Sequence, residues 1–135
     1  MLDEEEMSVA AMHDAVKTVL VVEDDEDNRL VFTEAFSMLT PYRVQVARNG
    51  PEALKLVAHI KPDLFILDYR LLHMNGIQLY DQLHATPGLE HVPAIIISGI
   101  ASEQVTRDID SRKLIRIEKP YDLDEFLDTV KQVLG

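Results

Sequence analysis

Three runs of four residues, Val19-Leu20-Val21-Val22, Leu64-Phe65-Ile66-Leu67 and Ala94-Ile95-Ile96-Ile97, contain no polar side chain. A strand with one wet face alternates polar and apolar residues, whereas one that is apolar throughout has to be covered on both faces. Two further runs, Val44-Gln45-Val46-Ala47 and Leu114-Ile115-Arg116-Ile117, are interrupted only by Gln45 and Arg116, which predicts that they are the two edges of the same sheet. Between the runs lie stretches of helical period. Leu30, Val31, Ala35, Phe36 and Leu39 predict one apolar stripe and Ala53, Leu54, Val57 and Ala58 another. Leu123, Phe126, Leu127, Val130, Val133 and Leu134 predict the clearest, at i, i+3, i+4, i+7 spacing. Asn49-Gly50-Pro51 marks the opening of the second helix, Asn75-Gly76 the loop before the third, and Pro62 and Pro93 stand just ahead of strands. Five strands alternating with five helices imply an α/β chain: a (βα)5 doubly wound, five-stranded parallel sheet.

The 135 residues are enough for one domain with one core. The regular pattern starts at Thr18, so residues 18–135 are read as the domain. Residues 1–17 are read as an acidic extension, disordered or helical, with a short helix over Met7–Val16 one way to arrange it. A net charge of -11 argues against nucleic acid as a direct partner, because gripping phosphates needs a basic face. With no cysteine, disulfides, thiolate metal sites and thiol catalysis are excluded. The start, Asp3-Glu4-Glu5-Glu6, has the wrong sign for a signal peptide and no long apolar run follows, so a cytoplasmic protein without membrane contact is expected.

In wound parallel sheets, chemistry collects at the carboxyl ends of the strands. Here those ends carry Glu23-Asp24-Asp25-Glu26-Asp27 after the first strand, Asp68 after the third, Ser98-Gly99 after the fourth and Lys119-Pro120 after the fifth. Carboxylates are the ligands a hard cation such as Mg2+ takes, alone or with a phosphoryl oxygen. Crowded carboxylates repel one another unless cations offset them, and Lys119 is a candidate offset. A carboxylate oxygen can also attack phosphorus to form an acyl phosphate, and phosphoryl transfer chiefly needs positioning and charge neutralisation. Taken singly, each residue has a plainer reading. Glu23 and Asp24 could serve a helix N-terminus, as Asp25 to Asp27 do on this reading, Ser98 could serve a turn, and Lys119 could sit in solvent. An EF-hand over Asp24, Glu26 and Asn28 fails because Arg29 stands at the turn glycine. The joint placement at four strand ends favours the functional reading.

Val21-Val22-Glu23-Asp24-Asp25, Asp63-Leu64-Phe65-Ile66-Leu67-Asp68, Ile97-Ser98-Gly99 and Lys119-Pro120-Tyr121 together resemble the signature of response-regulator receiver domains, over roughly Thr18 to Gly135. The resemblance implies a flavodoxin-like strand order, 2-1-3-4-5. It implies that Asp68 is the phosphoacceptor and that Glu23, Asp24, Asp68 and the backbone carbonyl of Arg70 hold Mg2+, or Mn2+ in its place. Ser98 becomes the switch hydroxyl, Lys119 the lysine that pairs with the phosphoryl group, and Lys119-Pro120 a cis bond. A histidine kinase or histidine phosphotransfer protein is the implied donor. The implied output is a downstream protein target or an output domain, with a dimer through the face from the fourth helix to the fifth as a further expectation. Such a domain is a signalling module, not an enzyme, promoting only its own phosphorylation and dephosphorylation.

Several positions depart from that pattern. Leu72 stands where many members have proline and is expected to loosen the loop before Gly76. Arg116 replaces the aromatic switch residue and is expected to be an exposed edge arginine, the alternative being a different output surface. Arg70 could pair with a phosphate while Ile100 cannot orient water, so a long-lived phosphoaspartate is expected. Gly99 is expected to widen access for the donor's histidine. His13, His59, His73, His84 and His91 have no metal spacing and are expected at the surface, and Tyr69 and Met74 are expected to pack the loop. An aspartyl phosphatase would need an acid where Arg70 stands. A pseudo-receiver that binds partners without phosphorylation is the other reading, supported only by Leu72 and Arg116.

Overall fold

The computed structural model describes residues 16–99 and 102–135. The possible helix over Met7–Val16 lies almost wholly outside them, as do His13 and Ile100. The long strands are β1 (Thr18–Val22), β2 (Arg43–Ala47), β3 (Leu64–Asp68), β4 (Ala94–Ser98) and β5 (Ile115–Glu118). They alternate with α1 (Glu26–Leu39), α2 (Gly50–Leu56), α3 (Gly76–His84), α4 (Glu103–Ser111) and α5 (Leu123–Leu134). All strand pairs are parallel and the order is β2-β1-β3-β4-β5, the flavodoxin-like order expected. The runs broken by Gln45 and Arg116 are indeed the two edges.

The central strands split their side chains by parity, as a period of two requires. Val19, Val21, Leu64, Ile66, Ile95 and Ile97 form one core with Phe32 and Phe36 of α1 and Phe126, Leu127 and Val130 of α5. Leu20, Val22, Phe65, Leu67, Ala94 and Ile96 form the other with α2, α3 and α4. Each fully buried aliphatic or aromatic side chain contributes roughly 1.5–3 kcal/mol, so the sheet is held by a core on each side. Phe126 is the hub of the first core. Its ring lies 5.5 Å from Phe32, 6.4 Å from Phe36 in an edge-on arrangement and 5.4 Å from Tyr121.

Every helix starts on a side-chain cap that satisfies an otherwise orphaned backbone donor: Asp25, Asn49, Asn75, Ser102 and Asp122. At Asn75 the cap is reciprocal, with Gln78 returning the bond to the Asn75 N–H. Thus Gly76 belongs to the first turn of α3 and not to a loop. α3 and α4 are tied by Arg112, whose Nε and Nη2 donate to the two carboxylate oxygens of Asp81 at 2.7 and 2.8 Å. That bidentate bond holds the Asp81 carboxyl below its ordinary range.

Three expectations need correction. The stripe on α1 holds only in part: Ala35 and Phe36 are buried as expected, with Phe32 beside them, while Leu30, Val31 and Leu39 are each more than half exposed. The helix is apolar on both sides, so periodicity alone selects no single face. Arg116 is not an exposed arginine; its side chain is only 18% exposed, covered where α4 closes over the edge strand. Its Nη1 donates to Thr106 Oγ1 at 3.2 Å and its Nη2 lies 3.6 Å from Glu118 Oε1. The segment around Leu72 is no loose loop but a hairpin, Arg70–Leu71 against Met74–Asn75, with Leu72 exposed and His73 in the left-handed region at φ 68°. His59, His73, His84 and His91 are at the surface. Tyr69 and Met74 pack against the second core.

Phe126→Ala should cost about 3–5 kcal/mol in urea unfolding, the range for emptying a packed aromatic site, while Met38→Ala on the exposed side of α1 should cost under about 0.5 kcal/mol. Equal losses in the two variants would contradict this description of the core.

Candidate functional site

Sheet register determines which strand-end residues meet. Val22 pairs with Leu67 across β1 and β3, so the next residues, Glu23 and Asp68, emerge side by side. Asp68 pairs with Ile97 and Ser98 with Glu118, so Ser98 and then Lys119 follow in a staggered line toward the β5 edge. The chain is tied together here by backbone bonds, from Glu23 N–H to Ala47 O at 3.0 Å, Tyr69 N–H to Ile97 O at 2.8 Å and Lys119 N–H to Ser98 O at 3.0 Å. The Lys119-Pro120 bond is cis, as the resemblance implied.

Glu23, Asp68 and Ser98 are the buried polar residues among those described, and all three are at this site. Each of Glu23, Asp24 and Asp68 offers a carboxylate oxygen, and these oxygens lie within 4.8 Å of one another. Lys119 Nζ donates to Asp68 Oδ1 at 3.0 Å from a side chain that remains 39% exposed. Asn28 Nδ2 donates to Glu23 Oε1 at 3.0 Å, and Arg29 Nη1 grips the carbonyls of Glu23 and Asp24 at 3.1 and 2.9 Å. The helix-start residues thereby fix the acidic turn. Asp25 does what the plainer reading assigned it, capping α1 through Asn28 N–H at 2.9 Å. An open cavity of about 180 Å³ is lined by Asp68, Tyr69, Arg70, Ser98, Gly99 and Lys119.

The local field is dominated by negative charge. Burial pushes the Glu23 carboxyl up to about 7, the Asn28 bond opposing it and the neighbouring Asp68 adding to it. Tyr121 is raised as well, first by burial and then by the charges of Glu23 and Asp68. One ammonium does not balance three carboxylates. The donor set is oxygen only and contains neither imidazole nor thiolate, which fits a hard divalent cation.

Asp68 also has a constraint that turn signals did not disclose. A β-carbon on Gly76 would lie 2.5 Å from the Asp68 carbonyl oxygen, a distance at which backbone atoms must move. Gly76 N–H donates to Tyr69 O at 2.8 Å, so the start of α3 is pressed against the peptide that follows Asp68. The signal in the sequence is Gly76 itself, eight residues past Asp68, which beside Asn75 has the pattern of a turn residue. At Gly99 a β-carbon would meet Lys119 Cβ at an ordinary 3.8 Å.

The family description that matches residues 19–131 is the response regulator receiver domain. The chain belongs to that family. Among curated relatives, the polar-differentiation response regulator DivK of Brucella anthropi is 31% identical over 120 residues, covering 88% of this chain and 97% of the relative. Among solved structures, chemotaxis protein CheY4 of Vibrio cholerae superposes with a TM-score of 0.80 at 20% identity, covering 87% of this chain and 98% of that one. The signal receiver domain of an HD domain-containing protein from Pseudomonas fluorescens Pf-5 gives 0.78 at 26% identity, covering 89% and 88%. Among the described residues, no helix is long and apolar enough to cross a membrane.

The raised Glu23 carboxyl carries a stability consequence. The folded receiver holds that proton up to about pH 7, whereas the unfolded chain releases it near 4.5. Between these limits the folded state binds more protons, so its stability falls as pH rises and the loss is complete above about 7. In EDTA, the urea midpoint of the native chain relative to Glu23→Gln should decline across that window. A difference that is flat with pH would show that burial of Glu23 is not what perturbs it.

Proposed function

We propose that this receiver takes a phosphoryl group from a phosphohistidine onto Asp68 and that the charge so placed switches a protein-interaction surface. The observation that carries the reading is the Lys119–Asp68 ion pair at 3.0 Å beside a cluster of three carboxylates, in a chain of the receiver family. An oxygen of Asp68 attacks phosphorus, an O–P bond forms, and the P–N bond to the donor's imidazole breaks with the electron pair going to nitrogen. Lys119, already against Asp68, stands beside the negative charge delivered with the phosphoryl group. Ser98, on the neighbouring strand end, supplies a hydroxyl for a phosphoryl oxygen. Arg70, exposed at the rim of the cavity, is a second cation for the phosphoryl group and supports a long-lived phosphoaspartate.

Glu23, Asp24 and Asp68, with the backbone carbonyl of Arg70, would hold Mg2+ or Mn2+. When bound, the cation neutralises charge on the phosphoryl oxygens. The donor is a histidine kinase or a histidine phosphotransfer protein, which places the module in the cytoplasm. The output is a downstream protein, an attached output domain or a second receiver, met through the face formed by α4, β5 and α5. On that face the guanidinium of Arg116, held by Thr106 and Glu118, stands where many members have an aromatic residue. This substitution is the one observation favouring the other reading, a pseudo-receiver that binds partners without phosphorylation.

Intact mass after incubation with Mg2+ and acetyl phosphate should show one added phosphoryl group, absent in Asp68→Asn and blocked by EDTA. Lys119→Ala should lower the yield of adduct by about tenfold or more, the equivalent of losing one charge-assisted contact of about 1.4 kcal/mol. No adduct, together with no binding of beryllofluoride, would replace the switch with the pseudo-receiver.

A further inference from the structure

The carboxylates at the strand ends differ in how they are held. Asp24 is exposed, whereas Glu23 is buried and one of its two oxygens is already engaged. Glu23 Oε1 accepts from Asn28 Nδ2 at 3.0 Å and from the Asp25 N–H at 3.3 Å. A carboxylate oxygen has two lone pairs, so two donors fill it. Oε2 is then the oxygen that Glu23 can offer to the cluster it forms with Asp24 and Asp68. The backbone of this turn is fixed by other means: Arg29 Nη1 bonds the carbonyls of Glu23 and Asp24, and the Glu23 N–H is tied to Ala47 O. The Asn28 side chain therefore acts on the Glu23 head group alone, and it supplies the shorter of the two bonds there.

Cations differ in what they ask of a carboxylate. Ca2+ is large, takes roughly six to eight oxygens in a flexible shell and accepts both oxygens of one carboxylate, while Mg2+ demands a small, near-octahedral shell that keeps much of its water. A glutamate with one oxygen saturated suits the second ion and not the first. Glutamate needs such a restraint, because the last torsion of its side chain is broad and lets the head group turn. We propose that Asn28 is a positioning residue that makes the cation site selective for Mg2+ over Ca2+, by restricting Glu23 to a single available oxygen. This rests on the reading that Glu23, Asp24 and Asp68 hold a divalent cation, and it does not depend on phosphorylation of Asp68.

Asn28→Ala is a mild change. Asn28 is exposed, its backbone N–H to Asp25 Oδ1 is retained, and alanine favours helix. MgCl2 and CaCl2 are titrated into the 15N-labelled full chain at a pH well above the value of about 7 at which Glu23 takes up a proton. The amide shifts of Asp24, Tyr69 and Lys119 then report the two affinities at this site. The native chain should bind Mg2+ more tightly than Ca2+, and Asn28→Ala should lower the Mg2+ to Ca2+ affinity ratio by at least about threefold. Simple loosening of the turn would weaken both ions together and leave the ratio in place. In a Glu23→Gln background, where the side chain has one oxygen to offer, adding Asn28→Ala should not move the ratio. A native chain with no preference for Mg2+, an unchanged ratio in Asn28→Ala, or an equal fall in the Glu23→Gln background would overturn the proposal while the cation site stands. If neither ion shifts these amides in the native chain, the cation reading falls and the proposal with it.

Discussion

The burial of β1, β3 and β4 on both faces is the constraint on which the rest of the structure depends. Strands with no wet face can exist only as the middle layer of a three-layer stack, and parallel connection through helices is what supplies the outer layers. Polar groups are thereby expelled from the body of the sheet to its ends. The three buried polar residues among those described, Glu23, Asp68 and Ser98, sit within one residue of the last strand residues for that reason. The register that pairs Val22 with Leu67 and Asp68 with Ile97 then arranges them in a line.

That line concentrates like charge in a place of reduced solvent. Three carboxylate oxygens within 4.8 Å face a single lysine, and burial, with the neighbouring Asp68 adding to it, pushes the Glu23 carboxyl up to about 7. A core residue would be selected against such an arrangement, since desolvated like charges oppose folding. Its persistence at the mouth of an open cavity fits a site for a cation and an anion together, which the proposed function supplies. The helix-start residues Asn28 and Arg29 belong to the same economy, because they hold the acidic turn with bonds to Glu23 and Asp24.

Much of this was legible in the sequence, and the exceptions have physical causes. Wholly apolar runs announced the central strands, and single polar interruptions at Gln45 and Arg116 announced the edges. Residues at strand ends met because the topology brings such ends together. The phase of α1 was not legible, because Leu30, Val31, Met38 and Leu39 are as apolar as Phe32 and Phe36, and only packing tells the two sides apart. Nor was the burial of Arg116, since an arginine with a long aliphatic stem can lie under a helix and keep its head on Thr106 and Glu118. Gly76 was visible as a glycine, but its contact with the Asp68 carbonyl depends on how α3 returns to β3. No local pattern encodes that.

The close approach of Gly76 to Asp68 divides the site into stiff and compliant parts. The Asp68 end is clamped: β3 is flanked by β1 and β4, and the first turn of α3 abuts the carbonyl that follows. Any shift of that backbone has to carry the helix with it. Lys119, by contrast, rises from an edge strand on a long and partly solvated side chain. When the charge or size of the group between them changes, the carboxylate side has little room to yield and the ammonium has much. Adjustment is thus steered toward β5 and the Arg116 face beside it.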